Sequence, residues 1–297
     1  MKIAIVLAFA TLPTTGVPNA PATREVEIIA SDYAFRLPSE LPAGRTAFRL
    51  RNTGKVFHEF HLLLLKPGST IEEFIRFRRE RKPTVELVEG PVGILFAGPG
   101  KTTLSRLSTD LVAGRDYVAE CALRDSATAP THLDMGMFSV VHVKTSKAPK
   151  ALPAVRADTI VGMDYAFRYP HTVSPGRHTF VFRNEGKVRH EMTIALLAKG
   201  VTLERFLDVL KAGGDTRPLI EEESRPRAEV PVQLHFPKGL LHARPGKASL
   251  GRLEVDLLPG RDYRLICTLA DDPKAPRHFE LGMYGVIRVS AQPTSRP

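Results

Sequence analysis

One stretch of this chain is written twice, and that constrains the fold more than any other feature. Asp32-Tyr33-Ala34-Phe35-Arg36 returns as Asp164-Tyr165-Ala166-Phe167-Arg168, and Phe48-Arg49-Leu50-Arg51-Asn52 as Phe180-Val181-Phe182-Arg183-Asn184. Both copies continue x-Gly-Lys-Val-x-His-Glu. Later, Pro99-Gly100-Lys101 returns as Pro245-Gly246-Lys247, and Gly114-Arg115-Asp116-Tyr117 as Gly260-Arg261-Asp262-Tyr263. The offset is 132 from Asp32 to Asp164 and 146 from Gly114 to Gly260, so one insertion of 14 residues lies between Gly200 and Gly239. A self-similar chain builds one supersecondary unit per copy. The expected organisation is a first domain over residues 23–144, a Lys/Pro/Ala-rich linker over 145–153, a second domain over 154–290 and a tail over 291–297.

Within each copy the hydrophobic period is mostly two. Tyr117, Ala119, Cys121 and Leu123 alternate with Val118, Glu120, Ala122 and Arg124, and Tyr263, Leu265, Cys267 and Leu269 follow suit. The exception is Thr70-Ile71-Glu72-Glu73-Phe74-Ile75, a Thr-x-x-Glu capping box with apolar residues at helical spacing. Its counterpart places Leu203, Phe206, Leu207 and Leu210 on one helical face. The fold class expected is all-β: two tandem antiparallel β-sandwiches, each with one inserted helix. The 24 prolines and 22 glycines suit such a turn-rich chain.

The first 22 residues read as a signal peptide, with a basic Met1-Lys2 start, an apolar run from Ile3 to Leu12 and an Ala20-Pro21-Ala22 cleavage pattern. No stretch reaches the ~20 apolar residues of a spanning helix, so the expectation is a periplasmic or secreted protein without a transmembrane segment. The net charge of +10 favours an acidic redox protein or an anionic membrane surface as partner. Nucleic acid is set aside because an exported protein rarely meets it. The densest basic stretch, Arg76 to Lys82, closes the first predicted helix, where it complements the helix dipole.

The two copies differ at most positions, so what both keep is informative. Among residues able to bind a metal they keep His58/His190, Cys121/Cys267, His132/His278 and Met137/Met283. The chain has 2 cysteines, at equivalent positions. Asn52-Thr53-Gly54-Lys55-Val56-Phe57-His58 and Asn184-Glu185-Gly186-Lys187-Val188-Arg189-His190, with the later Cys…His…Gly-Met order, resemble the cupredoxins, the type I copper family that includes plastocyanin, azurin and sulfocyanin. The resemblance covers both repeats through two short segments of each. It implies one copper per domain, held trigonally by His58, Cys121 and His132 with Met137 as weak axial ligand, and by His190, Cys267, His278 and Met283 in the second domain. A thiolate and two imidazoles suit Cu(I) and Cu(II) about equally, and a distant thioether helps set the potential.

This sequence departs from the family pattern in two places. Ten residues separate Cys from the second His, where cupredoxins usually have two to four, and Glu59 and Glu191 stand where plastocyanin-like proteins often carry Asn. Turn formers in Asp125 to Thr131 and Asp271 to Arg277 allow a hairpin excursion that returns the histidine to the site; otherwise the histidine sits elsewhere and the site is incomplete. The alternatives are a metal-free cupredoxin-like binding or structural module, and a Cys121–Cys267 disulfide. The latter needs the two Cα atoms within about 6 Å. A multicopper oxidase or copper nitrite reductase is disfavoured: there is no His-x-His, and the cysteines are flanked by Glu120/Ala122 and Ile266/Thr268. His61 and His242 lack counterparts and are expected to pack or face solvent.

Overall fold

The structure is a computed structural model that describes residues 23–145, 156–221 and 238–291. The expected signal peptide, most of the expected linker and tail, and residues 222–237 of the stretch expected to hold the insertion lie outside the described residues. Strands dominate, with two α-helices. The first half runs β1 (Arg24–Ser31), β2 (Ala34–Arg36), β3 (Glu40–Pro42), β4 (Gly44–Asn52), β5 (His58–Leu65), α1 (Ile71–Arg79), β6 (Val88–Ala97), β7 (Arg106–Leu111), β8 (Asp116–Glu120) and β9 (Phe138–Lys144). The second repeats this order as β10 (Asp158–Met163), β11 (Ala166–Arg168), β12 (Thr172–Val173), β13 (Gly176–Asn184), β14 (His190–Leu196), α2 (Leu203–Lys211), β15 (Gly239–Ala243), β16 (Arg252–Leu257), β17 (Asp262–Ile266) and β18 (Tyr284–Val289). A one-turn 3-10 helix, Arg217–Leu219, follows α2.

These strands form two sheets, and both run through from one half to the other. The 8-stranded sheet has the order β11-β10-β13-β16-β7-β4-β1-β2, and the 10-stranded sheet β12-β18-β17-β14-β15-β6-β5-β8-β9-β3. Read outward from the middle, each half lists equivalent strands in the same order. The join is antiparallel pairing of equivalent strands, β16 with β7 and β15 with β6. The halves thus share both sheets, and the expected all-antiparallel pairing is corrected in one respect: β1 pairs with β4, and β10 with β13, in parallel. Glycines make the close approach feasible. A Cβ on Gly251 would overlap the Val92 carbonyl oxygen, and one on Gly239 would overlap Leu253 Cδ1 and sit 3.1 Å from the Ile94 carbonyl oxygen.

The main core fills the space between the sheets, with Ile28, Phe48 and Leu50 from one facing Phe60, Leu62 and Tyr117 from the other. Each helix covers the outer face of the 10-stranded sheet. Phe74 and Ile75 of α1 pack with Leu63, Leu65 and Val118, and Phe206 and Leu207 of α2 with Ala195, Leu197 and Ile266. This explains why all seven residues of β14 are buried despite a period-two sequence: sandwich on one face, helix on the other. Both helices start at a threonine N-cap, with the Thr70 and Thr202 hydroxyls accepting from the Glu73 and Arg205 N–H groups, 3.2 Å in each.

Candidate metal centre

Strand parity puts His58, the first residue of β5, on the face that carries Phe60, Leu62 and Leu64 into the main core. Cys121 follows directly on β8, beside β5 in the sheet, and shares the inward face with Tyr117 and Ala119. The ten-residue excursion after Cys121 closes on itself. The His132 N–H donates to the Leu123 carbonyl at 2.8 Å and the Leu133 N–H to the Cys121 carbonyl at 2.8 Å. The second copy matches, with His278 N–H to Leu269 at 2.7 Å and Phe279 N–H to Cys267 at 3.0 Å. The long loop is thus a hairpin that brings its histidine back to the cysteine.

The result is two buried His-Cys-His groups, His58-Cys121-His132 and His190-Cys267-His278, whose ligand atoms lie within 4.8 Å of one another in each. In the first, His58 Nδ1 and His132 Nδ1 are 3.2 Å apart, and Cys121 Sγ is 3.3 Å from His132 Nδ1 and 4.0 Å from His58 Nδ1. In the second, the two Nδ1 atoms are 3.1 Å apart and Cys267 Sγ is 3.3 Å from His278 Nδ1. An ion bound by two imidazoles at about 2.0 Å and a thiolate at about 2.3 Å needs donor separations of roughly 3–4 Å. Both triangles fit. Met137 and Met283 are fully buried in the same core, and their carbonyls accept from the Cys121 and Cys267 N–H groups at 3.1 Å. The Met283 methyl lies where a Cβ on Gly162 would come within 3.1 Å of it.

The surrounding hydrogen bonds orient the rings. His132 Nε2 lies 3.0 Å from Asp125 Oδ1, and Asp125 Oδ2 accepts from the Tyr33 hydroxyl at 2.6 Å. His278, Asp271 and Tyr165 repeat this at 3.1 and 2.6 Å. His190 Nε2 is 3.4 Å from Asp164 Oδ1, and His58 Nε2 is 4.0 Å from Asp32 Oδ1. Gly54 and Gly186 of the Asn-x-Gly segments have a physical reason: a Cβ at either would overlap the Oδ1 of Asp32 or Asp164. Tyr33 and Tyr165 take φ of 63°, a left-handed backbone rare for aromatic residues, and so aim their hydroxyls at the carboxylates.

Carboxylates accept hydrogen bonds, so an imidazole bonded to one through Nε2 carries its proton there. In the second group both rings are so bonded. Their Nδ1 atoms then face each other as bare lone pairs at 3.1 Å, beside a sulfur. Protonating one ring is opposed: burial, and then the neighbouring His278, push His190 down, and burial with His132 pushes His58 down to about 4. Burial also lowers His132. A soft cation between the three donors would relieve this crowding. Burial, reinforced by Glu59 and Glu191 respectively, drives the Cys121 and Cys267 thiols up, so a metal must displace a proton from each. One backbone donor already points at each sulfur, from Glu59 and Glu191 at 3.4 Å. The side chains of these glutamates, unexpected for the family, strap β5 and β14 to the cysteine segments by accepting from the Ala122 N–H at 2.9 Å and the Thr268 N–H at 3.0 Å.

All eight sequence-selected residues are therefore buried, with both His-Cys-His sets brought together. Both cysteines are free. Asp32, Tyr33 and Asp125 were not singled out from the sequence, though their retention as Asp164, Tyr165 and Asp271 was a usable signal. His61 and His242 meet across the join, stacked at 5.7 Å between ring centroids. His61 Nδ1 is 3.2 Å from Glu120, which also pairs with Arg78 at 2.8 Å, while both nitrogens of His242 lack a hydrogen-bond partner. Thr193, Ile266 and Leu210 stand at the positions equivalent to His61, Glu120 and Arg78, so this ionic network belongs to the first half. Among the described residues, no third group has metal-holding spacing.

No family model matches the chain, and no curated protein matches it in sequence. Its solved structural neighbours are cupredoxins and multidomain copper proteins. Dithionite-reduced auracyanin from Roseiflexus castenholzii is 20% identical and aligns over 41% of this chain and 98% of its own, with a TM-score of 0.28. A copper-containing nitrite reductase from Thermus scotoductus is 14% identical over 93% of this chain and 64% of its own, with a TM-score of 0.26. A multicopper oxidase is 15% identical over 94% and 93%, with a TM-score of 0.27. Likenesses this loose carry no chemistry across, so function has to be argued from the chain's own residues.

Proposed function

We propose that the protein is an exported copper-binding protein with two type I-like sites, one in each of two tandem cupredoxin-like halves, serving electron transfer or copper handling. The observation that carries this is the pair of buried Nδ1 atoms facing each other beside a cysteine sulfur, made twice from residues that both copies keep. His58, Cys121 and His132, and His190, Cys267 and His278, would hold the metal, with Met137 and Met283 as weak thioether donors. Copper in such a site supplies a one-electron couple with little change in geometry. The protein's part is to hold the donors still: Asp125 and Asp271 fix the second histidines through Nε2, and the Glu59 and Glu191 N–H groups direct each sulfur. Burial keeps bulk water away from them. Export rests on the N-terminal basic start, apolar run and cleavage pattern.

Adding Cu(II) to the purified protein should develop an intense thiolate-to-copper band at about 600 nm. Cys121→Ser or Cys267→Ser should each remove part of the band, and the double variant all of it. A protein that stays colourless would return the chain to a metal-free module.

A further inference from the structure

The first half carries a charged cleft. It opens beside the metal-site hairpin, has a volume of about 270 Å³, and is lined by Arg78, Arg79, Arg81 and Lys82 at the end of α1, by Arg124, and by Asp134, Thr131 and Leu133. The last two flank His132 in sequence, and Arg124 is three residues from Cys121. Arg78 is committed to Glu120 and Lys82 to Glu80. Arg79, Arg81 and Arg124 have no carboxylate within ion-pair distance among the described residues, Arg124 Nη1 donating instead to the Ala129 carbonyl at 2.5 Å, and Asp134 accepts from the Thr131 N–H at 3.1 Å. The positions equivalent to Arg81, Lys82 and Arg124 are Gly213, Gly214 and Ala270.

Arg81 is the second, independent observation. It closes α1 at φ 56°, and Gly213 closes α2 at φ 69° with the same backbone bonding. Left-handed backbone is the natural place for glycine and is strained for arginine. Where one copy keeps the unstrained residue, the other keeps a cation that costs stability, on the rim of a cleft already rich in guanidinium groups. Strain held against an available glycine is a mark of function.

We infer that this cleft is where an acidic protein partner docks onto the first metal centre, its Asp and Glu side chains entering among the guanidinium forks. This rests on the metal-centre reading for its purpose but not for its chemistry. Planar guanidinium groups match carboxylates two bonds at a time. A recessed cleft favours carboxylates borne on side chains over the flat face of a bilayer. Gly213, Gly214 and Ala270 supply none of these cations beside the second centre, so the partner meets the first.

The test uses the full chain and a fluorescein-labelled oligoglutamate, read by anisotropy. The peptide should bind, and its affinity should fall as salt rises from about 50 to about 200 mM. Arg79→Ala, Arg81→Gly and Arg124→Ala together should weaken it about tenfold or more. Removing three cations from the second half, by Arg168→Ala, Arg183→Ala and Lys187→Ala, should change it less than twofold. Arg81→Gly alone should not lower the melting temperature, which separates lost docking from lost folding. No peptide binding, or equal losses in the two triple variants, overturns the proposal, as does phosphatidylserine vesicle binding that needs these arginines while the peptide fails. Repeating the titration on Cys121→Ser/Cys267→Ser keeps it independent of copper: if the metal reading fails, peptide binding still decides the docking.

Discussion

Replacing Asp125 with Asn tests whether the hydrogen bonds around the proposed metal centre do what their geometry implies. Asp125 accepts from His132 Nε2 at 3.0 Å and from the Tyr33 hydroxyl at 2.6 Å. Burial alone would raise its carboxyl, but those two bonds hold it below the ordinary carboxylate range, so the group is ionised at neutral pH. An amide keeps the shape yet cannot accept on both sides. A hydrogen bond to a charged group contributes about 1.5–3 kcal/mol when buried. The Asp125 side chain is 36% exposed, which places the loss toward the lower end. At 1.4 kcal/mol per factor of ten, copper affinity at the first site should fall about 10- to 30-fold, within the range seen for outer partners of metal-binding histidines. The assay is Cu(II) competition with a chelator in a Cys267→Ser background, so that only the first site reports. Asp271→Asn in a Cys121→Ser background should behave alike. An affinity within twofold of the parent in both would refute the role given to the carboxylates.

Three further outcomes follow from other parts of the molecule. Each thiol is raised by burial and must lose its proton to bind metal, so copper affinity should fall about tenfold per pH unit per site as pH drops from about 8 to 5; the slope should steepen once His58, held down to about 4, begins to protonate, as a pH series of titrations would record. Arg264 is fully buried and pushed down to about 9 by burial, with Nε and Nη2 lacking partners and its charge over the Phe206 ring at 4.7 Å. Arg264→Met should therefore stabilise the fold by about 1–3 kcal/mol in denaturant unfolding, and a loss of stability would mean the buried charge is compensated. Gly251→Ala should destabilise by about 1–3 kcal/mol, because its Cβ would overlap the Val92 carbonyl oxygen and sit 3.1 Å from Leu107 Cδ1 at the join; an unchanged melting temperature would argue that the halves can part there.

The repeat, the helices and the eight proposed ligands were legible because each has a one-dimensional signature: a recurring string, a capping box, a residue type kept in order. The rest shows its role only through contacts, even where both copies keep the residue. Asp125 and Asp271 looked like turn formers, and their bonds to His132 and His278 exist only once the hairpin has folded back. The shared sheets were hidden because Gly239 and Gly251 owe their place to a neighbouring strand far off in sequence. His61 and His242 looked like strays because their meeting depends on that same join.

Native mass spectrometry of the copper-loaded protein tests the central claim most directly. Two Cys/His2 sites predict two copper ions per chain in the parent, one in Cys121→Ser, one in Cys267→Ser and none in the double variant. Copper that stays bound when both cysteines are gone, or a parent that holds none, would contradict it.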